Sequence, residues 1–291
     1  MRFAGTFTAL ITPFKNGALD ENALRKLIRF QIRSGVSGLV PCGSTGEAAA
    51  LEPDEYRRVI EITVEESNGK VPVVPGMGTN STAKTVAQVK AVQKLGVDGL
   101  LVIVPYYSKP TQEGLYKHYA AVAKASKLPI VVYNIPGRTA INLLPETLAR
   151  LANNFSNIVA TKDATGSVDQ VAAVLAACPY DFTVLSGDDA LTVPMMSIGA
   201  RGVVSVTSNL YPRAMAKMTA SALQDDFRSA RRWHAKIFPI VKALFIETNP
   251  IPIKAAMKSA GYGDGKPRLP LTPMTTPSRK AMTAALKKAK L

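Results

Sequence analysis

Eight short runs rich in Val, Ile, Leu and Thr recur along the chain, at residues 7–13, 38–43, 71–78, 99–107, 129–137, 157–165, 182–189 and 202–209, with successive starts 20 to 33 residues apart. Runs that are apolar at nearly every position suit strands buried on both faces, which is the condition of a parallel sheet. Between them lie stretches with helical periodicity, including ENALRKLIRFQIRSG, DEYRRVIEITVEES, KTVAQVKAVQKLG and VDQVAAVLAAC. Gly35, Gly69 and Gly96 stand where three of these should stop in the left-handed conformation. Eight β-then-α units of about 30 residues predict an α/β chain closed into a (β/α)8 TIM barrel. An open doubly wound sheet is the rival, weakened by the count of eight and by the lack of a Gly-rich dinucleotide fingerprint after the first strand. Strand signals end near residue 210. Residues 1–210 are therefore expected to hold the barrel strands and most helices. Residues 211–291 should hold the last barrel helix and a C-terminal helical appendage, interrupted by GYGDGKPRLPLTP.

Composition narrows the chemistry. With 291 residues, 47% of them hydrophobic, the chain can bury a large core, and no apolar run approaches the roughly 18 residues that span a bilayer. The start, MRFAGTFTALITPF, lacks a clean apolar core followed by a small-residue cleavage site, so it reads as mature sequence. Only two cysteines occur, Cys42 and Cys178, in no metal-like spacing, and a reducing cytoplasm is the expected location. His118 and His234 both lie in helix-like stretches, which leaves little for a His-metal cluster or a Ser-His-Asp triad.

The net charge of +15 is uneven: residues 213–291 hold 16 Lys and Arg against 4 acids. Such a region could meet an anionic polymer. Its cations are dispersed along amphipathic stretches with little aromatic interleaving, which favours solvated helix faces over a nucleic-acid or membrane partner.

In a parallel barrel the working residues sit at the carboxyl ends of the strands. Reading those ends gives Thr12, the GSTGE stretch Gly43 to Glu47, Tyr106 and Tyr107, then Tyr133, Asn134 and Arg138, then Lys162. Gly187, Asp188 and Asp189 follow, and last Ser205 and Asn209. Lys162 is the sole lysine at the end of a central strand. An ordinary lysine, with pKa about 10.4, is protonated at neutral pH; lowering that by about 3 units costs the charged form roughly 4 kcal/mol, within reach of partial burial. A free amine there would suit imine formation with a ketone or aldehyde. The alternative is a lysine that snorkels out of the barrel mouth.

Imine chemistry needs a proton shuttle, and Tyr133, Tyr107 and Thr45 offer three hydroxyls around one lysine. GSTGE offers turn N–H groups for a carboxylate, or is a tight turn followed by a helix cap. Arg138 offers a fork for a second carboxylate, or a surface ion pair. Asp188 and Asp189 read as caps of the seventh helix. Cys42 reads as a buried small side chain.

Taken in order, GSTGE (43–47), PYYSKPTQEGLYKHY (105–119), YNIPGRT (133–139), KDATG (162–166), LSGDD (185–189) and GVVSVTSN (202–209) closely resemble the dihydrodipicolinate synthase family, within the superfamily of pyruvate-dependent Schiff-base aldolases. The resemblance covers essentially the whole chain. It implies a lyase of lysine and diaminopimelate biosynthesis that condenses pyruvate with L-aspartate 4-semialdehyde, as a homotetramer built from two dimers, with no metal and no organic cofactor. Lys162 would carry the imine with pyruvate and Tyr133 would be the general acid and base. Thr45 and Tyr107 would complete the relay, Tyr107 arriving from a neighbouring subunit. Ser44 and Thr45 would hold the pyruvate carboxylate, Arg138 that of the semialdehyde, and Gly187 and Val204 would line the lysine's surroundings.

The superfamily also contains aldolases for keto-deoxy sugar acids and N-acetylneuraminate, and Arg138 argues against these, since a polyol calls for neutral donors. Where the family's lysine-inhibited members have an effector site, Ala49, Asn80 and Tyr106 fit the pattern. Pro53 and Tyr56 replace histidines there, and Lys84 replaces a glutamate. A cation facing the effector's ammonium predicts weak or absent feedback inhibition.

Overall fold

The computed structural model describes residues 3–289. Eight parallel strands form the barrel: β1 (Gly5–Ala9), β2 (Gly38–Val40), β3 (Gly76–Met77), β4 (Leu100–Ile103), β5 (Ile130–Asn134), β6 (Ile158–Asp163), β7 (Thr183–Ser186) and β8 (Gly202–Ser205). They pair in the order β2-β1-β8-β7-β6-β5-β4-β3. The ring closes between β2 and β3, where Leu39 N–H donates to the Pro72 carbonyl at 2.9 Å and accepts at its own carbonyl from Val74 N–H at 2.8 Å. The doubly wound alternative is thereby removed. Where β1 meets β8, a Cβ on Gly202 would stand 2.0 Å from the Gly5 carbonyl oxygen, so that seam tolerates only glycine.

The helices between strands are α1 (Glu21–Arg33), α2 (Pro53–Ser67), α3 (Thr82–Val92), α4 (Gln112–Lys124), α5 (Pro145–Asn154), α6 (Val168–Ala177), α7 (Thr192–Ser197) and α8 (Pro212–Leu223). Asp20 caps α1, its side chain accepting from Ala23 N–H at 2.9 Å, and Glu52 with Glu55 forms a capping box on α2. Gly35, Gly69 and Gly96 take φ of +83°, +70° and +76°, as their place after helices requires. A two-stranded hairpin, Phe14–Lys15 with Ala18–Leu19, lies between β1 and α1.

The core has two layers. Phe7, Ala9, Val40, Val74, Leu101, Val131, Ala160, Leu185 and Val204 fill the barrel interior, and a larger set seals the helices against the outside of the ring. Beyond α8 come α9 (Phe227–Leu244), α10 (Ile251–Ser259) and α11 (Thr276–Lys288), and no described residue past 210 forms a strand. Most cations of this region, Arg228, Arg231, Arg232, Lys236, Lys242, Lys280 and Lys287 among them, are exposed on helix faces. No described helix is long and apolar enough to cross a membrane.

His118 on α4 is a buried group that titrates. Its Nδ1 lies 2.9 Å from Thr82 Oγ1, its Nε2 has no partner, and burial lowers its pKa from 6.5 to about 4. Between those values the unfolded chain binds a proton that the folded one refuses, so this contribution to stability is full above pH about 6.5 and is lost as pH falls toward 4. We expect urea unfolding to report about 2 kcal/mol less stability at pH 5 than at pH 7 from this group, with the loss absent in His118→Gln. Equal losses in both proteins would count against the assignment.

Candidate active site

Strand pairing builds the centre of the site. Tyr133 on β5 and Lys162 on β6 are register partners, and the two-residue alternation of β6 puts Lys162 on the same inward face as Ala160. The Lys162 side chain is 7% exposed, and its Nζ lies over the Tyr133 ring, 4.0 Å from the centroid. Of the described residues, none supplies a carboxylate in ion-pair contact with it. The other buried lysine, Lys254, is 1% exposed and is paired with Glu47. Lys162 is therefore neither a snorkelling surface charge nor half of a buried ion pair.

Around it the wall is cut to leave room. A Cβ on Gly187 would approach Lys162 Cε to 3.1 Å and Ala164 Cβ to 2.7 Å, so only glycine leaves the lysine its position. Val204 is 2% exposed in the same interior layer. The neighbouring carboxyl, Asp163, points away: it accepts from Thr165 N–H at 3.0 Å and Thr165 O–H at 2.6 Å, and burial raises its pKa.

GSTGE forms a turn held from three sides. Gly46 N–H donates to the Gly43 carbonyl at 3.0 Å, and Thr12 Oγ1 donates to the Gly46 carbonyl at 2.7 Å. Ser44 and Thr45 keep main-chain N–H groups that no described acceptor takes, as a carboxylate site at this turn requires. Glu47 caps no helix with its side chain. It adopts φ +55° and its carboxylate, buried, pairs with Lys254 and accepts from Arg268 N–H at 2.7 Å.

Arg138 follows β5 on a single helical turn, Pro136–Thr139, and is exposed. It forms no ion pair among the described residues; its Nη2 donates instead to the Asn249 carbonyl at 2.8 Å. The guanidinium stays available to an anion. A cavity of about 500 Å³ opens along Ser44, Tyr133, Arg138 and Asn249, continuing past Tyr56, Tyr106 and Leu269. Lys162 and Thr45 are not on its wall but each touches a residue that is, Tyr133 and Asn249 respectively.

Tyr107 does not join this group. It is 86% exposed, at φ +73°, and stands off the cavity wall. Two other expectations change. Asp188 caps a short turn by accepting from Ala190 N–H at 2.8 Å, but Asp189 is no cap: its carboxylate accepts from Val206 N–H, Thr207 N–H and Thr207 O–H at 3.1, 2.9 and 2.8 Å, tying the β7 end to the β8 end. Asn209 is likewise spent on the frame, accepting from Ile11 N–H at 3.1 Å and donating to the Ala9 carbonyl at 2.7 Å. Cys42 is buried and burial pushes its thiol far above the ordinary range, which removes it as a nucleophile.

Three site residues have no counterpart in the strand-end reading: Asn249, Lys254 and Arg268. The signal available was a lysine inside an apolar helical run, IPIKAAM, directly after an Asn-Pro step.

A closed parallel barrel that buries a lysine without a carboxylate partner at the end of its sixth strand has the fold and the amine that a lysine-dependent lyase would use. More particularly, the chain belongs to the dihydrodipicolinate synthetase family, whose family model matches residues 2–289. It is 47% identical over 289 residues to the 4-hydroxy-tetrahydrodipicolinate synthase of Geotalea daltonii, covering 99% of each chain. The dihydrodipicolinate synthase of Thermotoga maritima matches with TM-score 0.97 and 43% identity over 99% of both chains. The chloride-inhibited enzyme of Acinetobacter baumannii, solved in complex with pyruvate, matches with TM-score 0.96 and 41% identity over 98% of both.

Proposed function

We propose that the chain is a 4-hydroxy-tetrahydrodipicolinate synthase, joining pyruvate to L-aspartate 4-semialdehyde on the way to diaminopimelate and lysine, and that Lys162 carries the reaction. The observation that bears most of the weight is the buried Lys162 amine with no carboxylate partner, 4.0 Å from the Tyr133 ring centroid. Family membership supports the substrates.

In this reading the Lys162 amine adds to C2 of pyruvate, and loss of one water gives the imine. Removal of a C3 proton gives the enamine, whose C3 attacks the aldehyde carbon. The amino group of the semialdehyde then closes on the imine carbon and frees the lysine, so one water leaves per turnover. Tyr133 moves the protons, with Thr45 as the next hydroxyl. The N–H groups of Ser44 and Thr45 hold the pyruvate carboxylate, Arg138 that of the semialdehyde, and Gly187 and Val204 bound the space around the lysine.

Tyr107, on the outside of the single chain, acts in this reading on the site of a second subunit, which makes a dimer the smallest complete unit and a homotetramer of two such dimers the assembly. The expected compartment is the cytoplasm.

Reduction with borohydride in the presence of pyruvate tests the central step. It should fix a mark of about 72 Da, a reduced pyruvate imine, on the peptide bearing Lys162. A mark on another lysine, or none, would sink the assignment.

Lysine should inhibit poorly. Tyr56 Oη, largely buried, donates to the Gly76 carbonyl at 2.8 Å, so this side chain is engaged with the frame, and Lys84 presents a second cation. Half-inhibition in the sub-millimolar range in a steady-state assay would refute this.

A further inference from the structure

Asn249 belongs to none of the strand-end loops, yet it makes two hydrogen bonds into the site. It is 6% exposed and stands just before α10. Its side-chain Nδ2 donates to Thr45 Oγ1 at 3.0 Å, while its main-chain carbonyl accepts from Arg138 Nη2 at 2.8 Å. The amide turns its Nδ2 to the threonine and leaves its Oδ1 buried without a partner.

A threonine hydroxyl has one proton to give and two lone pairs to accept with. When an N–H that can only donate fills one lone pair, the hydroxyl proton must be given elsewhere. With the amide reversed, the oxygen would take that proton and a relay through Thr45 would end there. We propose that Asn249 is a positioning residue that sets the direction of proton transfer through Thr45, without itself touching the reacting atoms. The proposal rests on the Schiff-base reading above and deepens it. Its main-chain bond to Arg138 is independent of the side chain, so the two roles separate by substitution.

Asn249→Asp keeps the shape but offers acceptors only; Asn249→Leu keeps the size and offers neither. The step to measure is enamine formation, followed by NMR as exchange of the pyruvate C3 protons in D2O, where the imine gives up a proton and the enamine takes back a deuteron. In each variant, exchange and kcat should fall together by about tenfold or more, less than the roughly 10²–10⁴-fold that a proton-transferring group itself contributes, because Asn249 acts through Thr45. KM for the semialdehyde should stay within about threefold, because the Arg138 contact remains. In a Thr45→Val background the same substitutions should change exchange by less than about twofold, since residues acting as a unit are not additive.

Wild-type exchange in the variants, or full multiplicative effects in the Thr45→Val background, would overturn the proposal. If Asn249→Asp does not fold, the Asn249→Leu cycle decides alone. Borohydride trapping runs in parallel: no adduct in the wild type strikes the underlying reading, whereas an intact adduct with unslowed exchange strikes only this one.

Discussion

Lys162→Ala is expected to lower kcat by a factor on the order of 10³ or more and to abolish the borohydride adduct, because on the proposed mechanism the imine forms on Lys162 alone. Lys162→Arg should be as inactive: a guanidinium stays protonated at any working pH and has no lone pair to offer. The same substitutions separate chemistry from folding. Lys162 is buried without an ion-pair partner, so Lys162→Met replaces a costly polar group by an apolar one of similar size and should leave the thermal midpoint unchanged or raised. An alanine variant that keeps turnover, or a methionine variant that unfolds, would contradict a lysine kept for reaction rather than for structure.

The second large effect is on stability. Glu47 and Lys254 form an ion pair with side chains only 2% and 1% exposed, and burial lowers the Lys254 pKa against the pull of the carboxylate. Glu47→Ala strands an ammonium in the interior, and removal of one partner of such a pair costs about 3–5 kcal/mol. Urea unfolding of Glu47→Ala should register that loss. The double variant Glu47→Leu with Lys254→Met should recover most of it, since an apolar pair of similar volume is often neutral or better. A loss under about 1 kcal/mol in the single variant would mean that the pair is not buried as described. KM for pyruvate should also rise in Glu47→Ala, because the turn carrying Ser44 and Thr45 is anchored through this carboxylate.

The barrel was legible in the sequence because parallel strands buried on both faces write themselves as continuous apolar runs, and eight such runs at helix-sized spacing close into one shape. The strand limits were not. β1 begins at Gly5 and ends at Ala9, ahead of the 7–13 run, because beyond Leu10, whose N–H still donates to the Val40 carbonyl, the chain leaves the ladder and Ile11 N–H turns to the Asn209 side chain. β3 shrinks to Gly76–Met77 since Pro72 and Pro75 each withhold a donor from the ring. Lys162 stood out because a charge at the end of an apolar strand has no bland explanation that survives burial. Asp189 reads as a cap from the sequence because a local cap and a bond to residues 17 and 18 positions away look identical in one dimension. Asn249 and Arg268 were invisible for the same reason, their partners lying 204 and 221 residues earlier.

Because Asn249, Lys254 and Arg268 all follow β8, every staple on the GSTGE turn from that side is translated after the barrel's last strand. A chain synthesised as far as residue 210 contains Lys162 and all eight strands, but neither the last barrel helix nor the residues that brace the GSTGE turn. Ribosomal synthesis therefore reaches the braces of this turn only after every strand of the ring has been made.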